Sequence, residues 1–387
     1  MGKVGRATVA AVPRTSPGDP VLFLTGATGF VGGGLLRRLL AARPDRRVIA
    51  LARHPAQSAT LTADPRVEAI VGDLTRADLG MDRSSRERLE RSVTEVVHCA
   101  AVTRFGLPIE AARAVNTEGT RRVLDLARRC RRLAKLGHVS TVYVSGRAPG
   151  LMAEGPAPRP VEGFCNSYQQ SKHEAEALVL EAMADVPSAI YRLSSIIGDS
   201  RTGRVQQWNH VHQLMRLFPQ NILPVMPADP TAPVDLIASD WAIPALAHLF
   251  DESFAAGSIA HICAGGEASL TVRELVDLTR RAYERHPRGR TWRPICVPDF
   301  VSLPEFEAYV ERQRQTKDRL FWELLRVLGY FLPHLGIHQV FENHQAVKGL
   351  AGSDLLLPPI RGYYERVIDY GLDTAWGKLL HPDGRSS

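Results

Sequence analysis

The sequence predicts an α/β fold, a doubly wound parallel sheet followed by a smaller, mainly helical C-terminal region. Three observations carry that expectation. Short apolar runs alternate with helix-length stretches over roughly the first half of the chain, the pattern of a parallel sheet covered on both faces. A glycine-rich turn, Gly26-Ala27-Thr28-Gly29-Phe30-Val31-Gly32, directly follows the first apolar run and opens the first helical stretch. Finally, 387 residues with 44% hydrophobic and 23% charged content are enough to bury one elaborated domain or two.

Val21 to Thr25 reads as the first strand, and Leu35, Leu36, Leu39 and Leu40 recur at helical spacing up to Pro44. Val48 to Leu51, Val67 to Val71, Val96 to Cys99, Val139 to Val144 and Ala189 to Tyr191 repeat the strand signal. A helix is expected from Thr120 to Leu136, with seven basic residues on one side and Val123, Ala127, Cys130 and Ala134 on another. That basic face is either solvated or a docking surface for an acidic carrier. Beyond residue 200 the pattern loosens around Pro219, Pro224, Pro227, Pro230 and Pro233. A helix over Asp235 to Phe250, a returning strand over 259–263 and a helix over 270–285 then follow. Residues 1–19 read as a flexible tail, 20–200 plus about 235–265 as the nucleotide-binding domain, and 201–234 plus 266–387 as a substrate-binding region.

A formal charge of +7 and a pI near 9.3 suit a phosphorylated cofactor, coenzyme A or an acidic carrier. The charge is spread along the chain without a base-reading motif, so a nucleic-acid partner is not expected. Cys99, Cys130, Cys165, Cys263 and Cys296 lie far apart with no C-x-x-C pair, which argues against a disulfide framework or a zinc site. The N-terminal stretch is too brief for a secretory core, and no run approaches the roughly 18 apolar residues of a spanning helix. A cytoplasmic protein with no metal is expected.

The glycine turn has the strand-turn-helix context that makes such a fingerprint informative: it permits a tight turn, close approach to pyrophosphate and close helix packing. Gly26, Thr28, Gly29, Phe30, Val31 and Gly32 are therefore expected at a dinucleotide. Where an acidic residue would bond the ribose 2′-hydroxyl of NADH, the chain has Arg53, whose fork of donors suits a 2′-phosphate. NADPH is expected, with NADH possible. Asp73, followed by Leu74, is placed to meet the adenine, or else to cap a turn. Ala100 and Ala101 provide small side chains where a cofactor passes close to backbone.

Tyr168 and Lys172, in Asn166-Ser167-Tyr168-Gln169-Gln170-Ser171-Lys172, lie at i and i+4 on one helix face. A phenol moves a proton near neutral pH only if a neighbouring cation stabilises the phenolate, which Lys172 can do. Adjacent strand residues face opposite ways, so of Ser140 and Thr141 we take Thr141 as the hydroxyl that bonds a substrate oxygen.

These residues together resemble the extended short-chain dehydrogenase/reductase superfamily over roughly residues 20–285, with a Rossmann-type nucleotide domain. More narrowly, Val97-His98-Cys99-Ala100-Ala101, Val115 to Thr120, Ser140 to Val144, Asn166 to Glu176, Tyr191-Arg192-Leu193-Ser194 and Ile197-Gly198-Asp199-Ser200-Arg201-Thr202-Gly203 are similar to thioester reductase and fatty acyl-CoA reductase domains. Phe341-Glu342-Asn343 is similar to a C-terminal motif of the latter. The resemblance implies a catalytic set of Thr141, Tyr168 and Lys172, with Asn116 holding the site and a relay water. It also adds Leu193 and Ser194 to the cofactor-lining residues, alongside Tyr168 and Lys172.

The expected activity is NADPH-dependent hydride transfer to a lipophilic acyl thioester, giving aldehyde or alcohol. The alternatives are a ketone or quinone-like carbonyl reductase, an alcohol dehydrogenase, and a nucleotide-sugar epimerase or dehydratase. Thioester reductases are often fused behind adenylation and carrier domains, so this chain is expected to take its substrate in trans. Leu320, Phe321, Leu324, Leu325, Leu328, Phe331 and Leu332 at helical spacing suggest a core-facing helix, an acyl-tunnel wall or a shallow membrane contact.

Overall fold

A computed structural model describes residues 20–56, 61–217, 220–221, 224–289, 294–314, 321–322, 325–326 and 329–378. The expected tail, 1–19, and Leu320, Leu324 and Leu328 of the apolar stripe lie outside them. The strands Val21–Thr25 (β1), Arg47–Ala52 (β2), Val67–Val71 (β3), Glu95–His98 (β4), Lys135–Thr141 (β5), Ser188–Leu193 (β6) and Ile259–Ile262 (β7) form one sheet. Its order is β7-β6-β5-β4-β1-β2-β3, with every pair parallel. The order reverses beside β1, so the crevice at the carboxyl ends of β1 and β4 is where such a sheet receives a ligand.

Among the described residues, the helices that frame the fold are Phe30–Ala42 (α1), Arg83–Ser92 (α2), Ile109–Arg129 (α3), Ser167–Ala182 (α4), His210–Leu217 (α5), Ser239–Asp251 (α6), Val272–Arg285 (α7), Leu303–Gln313 (α8), His344–Gly349 (α9) and Tyr364–Asp373 (α10). Successive residues of β1 and β2 feed two cores. Leu22, Leu24, Val48 and Ala50 pack with Leu35, Leu39, Trp241 and Leu246 of α1 and α6. Val21, Phe23, Ile49 and Leu51 pack with Leu89, Val123 and Val179 of α2, α3 and α4. Both faces are covered, which is why the strands read as continuous apolar runs.

The later residues are stitched to this core by short strand pairs. Gln339–Phe341 runs parallel to Gly150–Met152, and Asp299–Val301 parallel to Val225–Pro227. Leu270–Thr271 runs antiparallel to Pro233–Val234. Glu342 and Asn343 meet the end of β7: the Glu342 carbonyl accepts from His261 Nδ1, and Asn343 Nδ2 donates to the carbonyls of Cys263 and Ala264. In the Ile197 to Gly203 string, Asp199 caps a turn by accepting from the Arg201 and Thr202 amides, and Gly203, at φ +71°, packs against the Arg366 carbonyl.

Three expected boundaries move. The basic helix spans Ile109–Arg129, not Thr120 to Leu136; Lys135 and Leu136 belong to β5. The fifth strand ends at Thr141 rather than Val144, because Thr141 Oγ1 accepts from the Tyr143 amide and starts a 3-10 turn that closes at Gly146, φ +58°. The helix expected from Asp235 begins at Ser239, since Leu236–Ala238 pairs as a strand with Ser195–Gly198.

Candidate active site

Two glycines of the turn after β1 leave no room for a side chain. A Cβ on Gly26, which sits at φ +79°, would stand 2.7 Å from the Ala100 amide nitrogen, and one on Gly32 would stand 2.1 Å from the Gly26 carbonyl oxygen. Gly29 begins α1 with no side-chain cap and no acidic residue in the first turn. The first N–H groups of that helix are therefore left to an anion, and the turn fits the pyrophosphate of a dinucleotide.

This turn forms one wall of a cleft of about 550 Å³ whose other walls come from the ends of β4, β5 and β6 and from α4. Gly26, Gly29, Phe30, Val31, Gly32, Ala101, Thr141, Tyr168, Lys172, Leu193 and Ser194 all line it, so the cleft gathers most of the residues expected at the site. Ser140 lines it as well, contrary to the expected alternation, because β5 ends there; its hydroxyl is buried without a partner. Asn166 starts α4 by accepting from the Gln169 amide, which sets Tyr168 and Lys172 one turn apart over the β5 end.

Burial dominates the electrostatics. The Tyr168 phenol is pushed up to about 12 by desolvation, with the Thr141 hydrogen bond pulling the other way. Lys172 is pulled down to about 8 by burial, opposed by the Glu176 carboxylate one turn on. Its ammonium donates to His138 Nε2 at 3.0 Å and to the Val139 carbonyl at 2.9 Å. Cys99 also lines the cleft, but burial raises its thiol to about 12, so it is not a thiolate nucleophile.

The other expected residues stand elsewhere. Thr28 faces a neighbouring cavity of about 680 Å³ together with Arg37 and Leu61. Arg53 is exposed just past the end of β2, and its charge acts on Asp73. The Asp73 carboxylate accepts from the Thr75 amide and hydroxyl, both at 2.8 Å, which is turn-capping geometry. Leu74 packs on Gly119, and Ala100 donates its amide to Thr25 Oγ1. Asn116 uses its amide to bond Val102 and Ser171, tying the loop after β4 to α4.

Several residues of the cleft escaped the sequence reading. Phe105 stacks on Tyr168 and on His210, with ring centroids 5.8 and 3.9 Å apart. Tyr143 bonds Ser195 at 3.0 Å and leans on His334. These two groups continue the cleft into a lobe of about 60 Å³ that ends at Val211 and Phe331. On α3, Arg121 pairs with Glu118, Arg128 with Asp125 and Asp185, and Arg129 with Asp78 and Glu90.

Among the described residues no group of three or more His, Cys, Asp or Glu could hold a metal ion. No described helix is long and apolar enough to cross a membrane.

The model of the male sterility protein family, an NAD-binding domain, matches residues 24–246. The isonitrile lipopeptide synthase of Streptomyces coeruleorubidus is 33% identical over 61% of the chain, which spans 17% of that protein's length. Fatty acyl-CoA reductase 1 of Arabidopsis thaliana is 22% identical over 82% of the chain and 81% of its own length. In fold, the terminal R domain from the myxalamid PKS-NRPS pathway superposes with a TM-score of 0.76 at 23% identity, over 95% of this chain and 94% of that one. The UDP-glucuronic acid 4-epimerase of Bacillus cereus, solved with NAD, superposes with a TM-score of 0.62 at 18% identity, over 92% and 99%.

Proposed function

The chain belongs to the male sterility protein family of NAD-binding domains, and from that premise we propose that it is an NADPH-dependent reductase of lipophilic acyl thioesters. The observation that carries the reading is that Tyr168, bonded to Thr141, and Lys172 share one cleft with the uncapped glycine turn. When bound, a nicotinamide cofactor would supply the hydride that the carbonyl carbon accepts. Tyr168, with Thr141 beside it, donates a proton to the developing oxyanion, while Lys172 holds the nicotinamide ribose and the charge balance at Tyr168. Collapse of the hemithioacetal releases thiol and aldehyde, and a second hydride gives alcohol.

Arg53 supports NADPH over NADH, and Asp73 and Leu74 are proposed to border the adenine. Residues 201–234 and 266–387 are proposed to shape the acyl site, where Phe105, Tyr143 and Phe331 offer an aromatic lining. The similarity to a lipopeptide synthase and to a fatty acyl-CoA reductase supports a substrate held on coenzyme A or on a carrier protein. Four arginines of α3, Arg113, Arg121, Arg128 and Arg129, are ion-paired within the chain, so that helix lends a carrier little free charge.

Purified protein with NADPH and a panel of acyl-CoA thioesters is expected to lose absorbance at 340 nm and release thiol, one NADPH per thiol where the product is aldehyde and two where it is alcohol. Tyr168→Phe is expected to lower that turnover by about 10²- to 10⁴-fold while NADPH binding persists. NADPH loss on lipophilic ketones without thiol release would replace the thioester reading with that of a carbonyl reductase.

A further inference from the structure

The ammonium of Lys172 is held by a histidine of the central sheet. β4 and β5 set His98 beside His138 in register, and the two rings lie 5.3 Å apart between centroids. Both are buried, at 2% and 0% exposure. His98 is locked. The Thr120 hydroxyl already donates to the Asn116 carbonyl at 2.6 Å, so toward His98 Nε2, at 3.0 Å, it can only accept. Nε2 therefore carries the ring proton, and Nδ1 accepts from the Thr25 hydroxyl at 2.7 Å. His138 is different: its Nε2 meets the Lys172 ammonium at 3.0 Å, and its Nδ1 is buried with no partner.

A lysine ammonium has three hydrogens. Two are taken by His138 Nε2 and the Val139 carbonyl, on the sheet side. The third remains for the cleft that Lys172 lines. Two fixed acceptors on a rigid strand thus decide where the last donor points. We propose that His138 is a positioning residue that keeps Lys172 charged and aims its remaining N–H into the cofactor cleft. The inference rests on the reading of Lys172 as the cation that holds the nicotinamide ribose.

The groups facing Lys172 set the sign of the effect. Burial disfavours the ammonium most, Glu176 on α4 and Cys99 after β4 favour it, and the neutral His98 and His138 add no charge. Losing the His138 acceptor removes one of two hydrogen bonds to the charged form, so the ammonium should give up its proton at lower pH. His138→Leu should still fold, because it also removes a buried nitrogen that has no partner. His138→Gln restores an acceptor at a comparable reach.

The test is the dissociation constant of NADPH between pH 7 and 10, followed by NADPH fluorescence, with circular dichroism as the check on folding. This readout needs no substrate. In the native protein binding should weaken above about pH 8 as Lys172 loses its proton, and Lys172→Met should flatten that limb. In His138→Leu the limb should move down by about one pH unit, a tenfold change in proton affinity. His138→Gln should move it back. A limb unmoved in His138→Leu overturns the role of His138 while leaving Lys172 in place. A limb unmoved by Lys172→Met overturns the reading of Lys172, and with it this inference.

Discussion

At the residue scale, the proposed preference for NADPH turns on Arg53. Arg53 is exposed just past the end of β2, and its charge is felt at Asp73, whose carboxyl is held below the ordinary range mainly by the Thr75 amide and hydroxyl. A guanidinium there offers paired donors to a 2′-phosphate. Hydrogen bonds to charged groups are worth about 1.5–3 kcal/mol, so Arg53→Ala should shift the NADPH over NADH preference by about tenfold or more. Paired dissociation constants for the two cofactors check this, and an unchanged ratio removes Arg53 from the site. Tyr168 and Lys172 were legible because an i, i+4 pair is local. His138 was not, because its partner Lys172 is 34 residues away and only the pairing of β5 with α4 brings them together.

At the scale of elements, the glycine turn and the start of α1 are the most constrained piece of the site. Gly32→Ala would drive a methyl group to 2.1 Å from the Gly26 carbonyl oxygen, where only backbone could yield. Overpacking of this kind costs about 1–3 kcal/mol, so we expect a lower melting temperature together with NADPH binding weakened at least tenfold. Gly155→Ala is the matched control, since nothing lies within 4 Å of its added Cβ. The glycine spacing was readable because its cause is local sterics. The start of α3 was not. Its first half meets α4 through the polar Asn116 and Thr117, which both bond Ser171, rather than through an apolar stripe. Small and polar residues in a tight helix contact leave no amphipathic signal.

At the scale of the whole molecule, a buried charge cluster ties the amino end of the sheet to α6. Arg46, with no exposed surface, donates to Asp251 at 2.8 and 2.6 Å and to Glu95 at 3.1 Å, while Lys135 stands 3.2 and 3.5 Å from the same two acids. Removing one partner of a buried pair costs about 3–5 kcal/mol. Arg46→Met should fall at the low end, about 3 kcal/mol in urea unfolding, because Lys135 still offsets part of the acid charge; a loss under about 1 kcal/mol would show the cluster to be dispensable. The sequence by itself determined the alternating α/β plan, the nucleotide turn and the Tyr168–Lys172 pair, because periodicity, glycine sterics and helix spacing act within a few residues. Tertiary structure alone decided which acids neutralise the arginines of α3, how β4 and β5 set His98 beside His138, and how the later residues are stitched to the sheet. Those outcomes are contacts across long stretches of chain, 205 residues in the case of Arg46 and Asp251, and the fold must close before such charges and strands can meet.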